Sequence, residues 1–372
     1  MVGDSKHFSV NTTQPETCGD PIRLFQMMLS KTPGGADRFF EKLTVAFAAA
    51  GVPQLVVIEP NPEREALFKQ HKSIRVEPLR FGGLREPFAR MRLQKSLNDF
   101  KPDAAMTWMS RASRRMPKGA FPKVARLGDY YPVKHYRGCD HLVANTPDIL
   151  EYLKREGWPT ERAHLIGNFC DPPVLDGAPE KVRAEIRRET AIPENVPVIL
   201  ALGRLHPKKA HDILLLAMAS VPGVHLLLAG EGPIRSELET LSRELGINER
   251  VRFLGWRRDA DRLFAAADIC VMPSRFEPLG NVILEAWANR TPVIAARATG
   301  PEWLVEHEKT GLLFPVDDVD TLAAHLKRLL AEPEFHDTLV ANGYERFERN
   351  FSRKAVVDQY LEFFERVIGE TT

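Results

Sequence analysis

The stretch ADICVMPSRFEPLGNVILEAWANRTPVIAA spans residues 267–296. Its opening run, through Ser274, is almost wholly apolar and short, as a buried strand is. RFEPLG follows as a loop, and Gly280 stands just before a helix that starts near Asn281. TPVIAA (291–296) is a second apolar run of strand length. Strand, loop, helix and strand, with neither strand alternating, describe one βαβ unit of a parallel sheet buried on both faces.

The same rhythm runs outward in both directions. VPVILALG (196–203), VHLLLAG (224–230), RVRFLG (250–255) and GLLFPV (311–316) read as strands of one series. IRLFQMML (22–29), QLVVIEP (54–60), AAMTWM (104–109), KVARLG (123–128), HLVAN (141–145) and AHLIGNF (163–169) form an earlier series. Between these lie helical stretches. EKLTVAFAAAG closes at Gly51, and TPDILEYLKREGW opens with Thr146 as cap and Pro147 in the first turn. CDPPVLDGAPE (170–180) reads as a linker. The chain is therefore an α/β protein of two Rossmann-like domains, 21–172 and 173–351, after a flexible leader at 1–20. Their parallel sheets face across a cleft, the natural ligand site.

The 372 residues suit two domains, and 27% charged residues against 44% hydrophobic is a globular balance. The four cysteines (Cys18, Cys139, Cys170, Cys270) are scattered, which supports neither a disulfide framework nor a zinc site. No apolar run is long enough to span a bilayer, and the N-terminus lacks a signal peptide's apolar middle, so a cytoplasmic protein is expected. The net charge of +1 conceals two halves. Residues 1–170 hold 26 Lys and Arg against 18 Asp and Glu, and residues 171–372 hold 25 against 32. A basic first half suggests that it meets something anionic.

Three loops carry chemistry. In LALGRLHPKKAHD (200–212), Arg204 and Lys209 flank a turn after Gly203, with a helix expected from about Lys208. Two cations beside a helix N-terminus suit a phosphate. In LLLAGEGP (226–233), the G-x-G turn fits a nucleotide loop or merely a tight strand-to-helix connection. In the opening stretch, Gly280, Asn281 and Val282 can offer free amides to a diphosphate. Glu285, one turn into the helix, can accept two hydroxyl hydrogen bonds from a ribose, and Glu277 can do the same for a sugar ring.

This ordered set resembles glycosyltransferase family 4, the retaining nucleotide-sugar transferases of GT-B fold. GRLHPKKAHD, LAGEGP, RFLGW and EPLGNVILEA carry the resemblance, with TPGGADRFF (32–40) similar to the family's glycine loop. The resemblance implies that Arg204 and Lys209 bind the donor diphosphate, Glu285 the ribose and Glu277 the transferred sugar. It also implies that Gly34 and Gly35 let the first-domain loop approach the donor closely. The donor would be a UDP- or GDP-sugar, with no metal and no further cofactor, and attack would come on the front face. The final helices, near 352–368, would cross back to the first domain. The sequence departs from the family at Ala210, where glycine is usual, and at Asp37, where glutamate is. At Gly128 many members carry a histidine aimed at the sugar. Asp129 can take over that contact or serve only as a turn residue.

The D-x-D of DDVD (317–320) sits at a helix start, where capping explains it. GGLREPFARMRLQKSLNDFK (82–101) sets Leu84, Phe88, Met91 and Leu97 among basic residues at near-helical spacing. SRASRRMPKG (110–119) adds further arginines. This suits a glycan or glycolipid acceptor, as in lipopolysaccharide biosynthesis, and peripheral contact with an anionic membrane. Nucleic-acid binding is not expected, because stacking aromatics are not interleaved with the basic residues. The competing readings are an inactive nucleotide-sugar sensor, a nucleotide-sugar epimerase of similar fold and, more remotely, an NAD-dependent dehydrogenase.

Overall fold

The computed structural model describes residues 21–30 and 34–370; the leader at 1–20 and part of the glycine loop, residues 31–33, lie outside them. Two parallel sheets organise the chain. The first contains β1 (Leu24–Met28), β2 (Gln54–Ile58), β3 (Ile74–Pro78), β4 (Ala104–Trp108), β5 (Lys123–Leu127), β6 (His141–Ala144) and β7 (Ala163–Leu165). Their spatial order is β3-β2-β1-β4-β5-β6-β7. The second contains β8 (Val198–Leu202), β9 (His225–Ala229), β10 (Val251–Gly255), β11 (Ile269–Met272), β12 (Val293–Ala296) and β13 (Leu312–Phe314), in the order β10-β9-β8-β11-β12-β13. Both orders reverse beside their first strand, which opens a crevice at the carboxyl ends of β1/β4 and of β8/β11. This is the GT-B arrangement of two Rossmann-like units.

Strand β3 escaped the apolar-run reading. IRVEP is an edge strand with Arg75 exposed and Glu77 tied to Ser96 at 2.7 Å, so it carries charge where a central strand is apolar. Two helix starts also differ from expectation. The first helix runs from Gly35 to Ala49, so that Asp37 and Arg38 lie within it. Around Lys208 there is only one 3-10 turn, Pro207–Lys209, and the α-helix begins at His211. Between them Ala210 takes φ 53°, the left-handed conformation for which glycine is usual.

The terminal helix, Arg353–Gly369, leaves the second sheet and packs on the first. Tyr360, Phe363 and Phe364 are buried there, with Phe47 stacking edge-on to Tyr360 at 5.7 Å between ring centres. The chain thus crosses between the units twice, near 166–175 and near 351. Cys170 N donates to the Phe351 carbonyl at 3.1 Å where the two crossings meet. No helix among the described residues is long and apolar enough to cross a membrane.

Candidate active site

Two neighbouring cavities open at the carboxyl end of the second sheet. One, about 300 Å³, lies between the units, with Gly35, Arg38, Lys42 and Asn168 on the first-unit side and Asn281 and Glu285 on the other. The other, about 450 Å³ and mostly apolar, is walled by Gly203, Arg204, Gly230, Trp256, Val282 and Glu285. Glu285 belongs to both. Its carboxyl is driven up to about 7, first by burial, against the pull of the Lys42 ammonium and with the push of Asp261.

The loops that carry these residues are held by contacts only glycine permits. Gly230, at φ 154°, presses on the Gly203 carbonyl so closely that a Cβ would lie 1.8 Å from it. A Cβ on Gly232 would stand 2.1 Å from the Leu205 carbonyl oxygen. The G-x-G turn therefore shapes the Gly203–Leu205 loop by packing. Arg275 stitches the other side: it donates to both Asp212 oxygens at 3.0 and 2.6 Å, to Asp317 at 2.6 Å and to the Pro207 carbonyl at 2.8 Å. Asp318, the first aspartate of the D-x-D, caps the helix Val319–Ala331 by accepting from the Thr321 amide, and Asp317 beside it is held by Arg275.

The expected site residues converge, with one exception. Lys209 is ion-paired with Glu277. Arg204 is exposed at the mouth of the apolar cavity. Gly280, at φ 88°, precedes the helix Asn281–Ala288, whose first residues Asn281 and Val282 line the two cavities, while the Ile283 amide donates to the Gly280 carbonyl at 2.9 Å. Gly34 is extended, and a Cβ on Gly35 would meet nothing within 4 Å, so the backbone there borders open space. Asp129 stands apart. It is exposed, its carboxylate accepts the Tyr130 amide at 2.8 Å, and it forms no wall of either cavity.

Sequence reasoning missed the first-unit wall. Arg38 lies over the Trp256 ring of the other unit at 6.0 Å, and Asn168 donates to Asn281 at 3.2 Å across the cleft. Their signals were present, Arg38 just after the glycine loop and Asn168 in GNFCD, but only the docking of the two units gives them partners. A third cavity, about 710 Å³, opens at the β1/β4 crevice against Leu29, Trp108, Met109 and Arg111. Met109 there has φ 61°, a conformation costly for a long side chain.

This geometry can be set beside known proteins. The model of glycosyl transferases group 1 matches residues 182–346. The lipopolysaccharide core biosynthesis glycosyltransferase LpsE of Rhizobium meliloti is 37% identical over 332 residues, 88% of this chain and 95% of that protein. The chain is a group 1 glycosyltransferase. LpsD of the same organism is 36% identical over 341 residues, 91% of this chain and 97% of its own length. Among solved structures, Anabaena Alr3699/HepE in complex with UDP superposes with a TM-score of 0.77 at 23% identity, covering 93% of this chain and 100% of that one. WaaG, a glycosyltransferase involved in lipopolysaccharide biosynthesis, superposes at 0.62 and 19% identity, covering 92% and 99%. Both share the GT-B fold of this group 1 enzyme.

Proposed function

We propose that the enzyme transfers a sugar, with retention of configuration and without a metal, from a UDP-sugar to a hydroxyl of a lipopolysaccharide core-type glycan or glycolipid. The observation that carries this reading is Glu285, which lines the apolar cavity on one side and the interlobe cavity on the other. A nucleoside in the first and a sugar in the second would place ribose hydroxyls at that carboxylate and the diphosphate at Arg204, Lys209 and the amides of Gly280, Asn281 and Val282. The difficult charge in such a transfer is the leaving diphosphate. Fixed cations and a helix N-terminus stabilise it, each lost donor costing on the order of 3 kcal/mol in barrier. Glu277 would leave Lys209 to receive sugar hydroxyls, and Gly34 and Gly35 would admit the phosphates closely. The 710 Å³ cavity of the first unit would hold the acceptor. The identities of LpsE and LpsD support the acceptor class, and the UDP held by HepE supports the base. Thermal shifts with UDP, GDP and ADP, metal-free, on wild type and Lys209→Ala test the reading. Stabilisation by UDP that disappears in the variant is expected, and no nucleotide response in wild type overturns it.

The cytoplasmic face of a membrane is the proposed workplace. On the helix Glu86–Phe100 and the turn before it, Ala89, Leu93 and Leu97 turn inward, while Leu84, Phe88 and Met91 are 95%, 70% and 68% exposed. Arg85, Arg90, Arg92 and Lys95 are exposed beside them. An apolar ridge ringed by cations suits anionic lipid headgroups. Flotation with phosphatidylglycerol vesicles at low salt should carry the protein, and a Leu84→Ser/Phe88→Ser/Met91→Ser variant should stay behind.

A further inference from the structure

Three arginines are buried among the described residues: Arg64, Arg126 and Arg187. Arg64 pairs with Asp37 at 2.8 Å and Glu41 at 2.7 Å. Arg187 pairs with Asp268 at 3.1 Å and donates to four carbonyls. Arg126, 3% exposed, has no carboxylate within ion-pair distance among the described residues. Its Nε donates to the Tyr360 hydroxyl at 2.8 Å and its Nη2 to the Asn168 side-chain oxygen at 2.6 Å. Phe39 and Trp108 offer ring faces to its guanidinium at 4.3 and 5.0 Å. These neighbours hold the cation and shield it, but none cancels its charge. A buried charge without a counter-charge is costly, and proteins keep one where something else supplies the opposite sign.

The open side of Arg126 shows where that anion would come from. A Cβ at Gly128 would stand 4.0 Å from Nη1 of Arg126 and 3.8 Å from Nδ2 of Asn145. Asn145 is 7% exposed, and its Oδ1, an acceptor without a partner, suits a sugar hydroxyl, while its Nδ2 can donate to an anion. Gly128 itself is exposed, and the Phe39 and Asn168 that grip the guanidinium line the interlobe cavity. Two donors, Nη1 of Arg126 and Nδ2 of Asn145, therefore meet at the exposed Gly128 on the first unit's wall. Under the function proposed above, on which this inference rests, the diphosphate belongs to Arg204 and Lys209 of the second unit. The glycine loop of the first unit would meet the phosphates only through its backbone, and the part of the donor that reaches Arg126 is the sugar. We infer that Arg126 and Asn145 recognise a carboxylate on the transferred sugar, so that the donor is a UDP-hexuronate.

Isothermal titration of wild type, Arg126→Gln and Asn145→Asp tests this, with UDP, UDP-glucose, UDP-galactose, UDP-glucuronate and UDP-galacturonate. Asn145→Asp is nearly isosteric and hands Arg126 an internal counter-charge, so it serves even if Arg126→Gln fails to fold. At least one uronate should bind wild type about tenfold more tightly than its neutral hexose. Both variants should lose that preference while binding UDP as wild type does. Uronates that bind no better than the hexoses overturn the inference. So does an Arg126→Gln variant that loses UDP as severely as the uronate, since the anion is then the diphosphate. Failure of wild type to bind UDP at all overturns the donor reading itself, before the sugar enters.

Discussion

If Glu285 accepts the ribose hydroxyls, donor binding is coupled to a proton. In the unliganded protein its carboxyl is raised from the ordinary value of 4.5 to about 7, chiefly by burial. Below pH 4.5 the group is protonated whether the chain is folded or not. Above pH 7 it is ionised in both, and the folded state bears the cost of burying the charge. Stability of the unliganded protein therefore falls as pH rises from about 4.5 to about 7 and then levels. At 1.36 kcal/mol per unit the whole fall is about 3 kcal/mol. Glu285→Gln, neutral throughout, should be more stable than wild type at pH 8 by up to about that amount, read by urea unfolding. The ligand acts in the opposite direction, because only the ionised carboxylate accepts two hydroxyls. UDP-glucose is the right probe, since its diphosphate does not titrate in this range. At pH 6 its binding should release close to one proton, seen as a dependence of the titration heat on the buffer's ionisation enthalpy. Its affinity should rise about fivefold from pH 6 to pH 7, about tenfold in all by pH 8, and then flatten. Glu285→Gln should bind weakly at every pH with no proton release. Proton-neutral binding to wild type, or a Gln variant no more stable at pH 8, would refute the reasoning.

Lys209→Ala should lower kcat/KM by about 10² to 10³ through lost stabilisation of the leaving diphosphate, measured by release of UDP from donor and acceptor. Gly230→Ala should cost on the order of 3 kcal/mol, because a methyl 1.8 Å from the Gly203 carbonyl must displace the Gly203–Leu205 loop; melting temperature and UDP binding should fall together. Tyr360→Phe removes the hydroxyl that accepts from buried Arg126 and should lower stability by about 2 kcal/mol in urea.

Much of the fold was legible because parallel strands buried on both faces are written as unbroken apolar runs. Strand β3 was not, since an edge strand needs apolar residues on one face only and IRVEP mixes charge into them. The start of the helix at His211 was misplaced because Ala210 takes a left-handed turn that its side chain does not announce. The second-unit site was legible for a different reason. Arg204, Lys209 and Glu277 sit on loops, and Glu285 one turn into the helix Asn281–Ala288, at spacings from strand ends that are set locally. The first-unit wall was not legible, because Arg38, Asn168 and Arg126 acquire their meaning only when two units and a returning helix close around them. Asp129 shows the converse failure: next to Gly128 in sequence, it turns to its neighbour's amide and away from both cavities.

The two lobes treat their cations differently, and the difference bears on how the site waits for its substrate. Lys209 of the second unit is paired with Glu277, so its charge already has a partner within the protein. Under the proposed function a donor would exchange with that pair, giving phosphate to the ammonium and hydroxyls to the carboxylate. The exchange costs little, because both groups are partly solvated and each receives a partner of the kind it lost. Arg126 of the first unit has no such internal partner and is buried. An anion that reaches it relieves an existing cost and adds a contact from the first unit to a ligand held mainly by the second. Under the proposed function, binding energy gained at Arg126 would tie the first unit to that ligand. A neutral sugar, which cannot supply that charge, would reach the same geometry with lower occupancy.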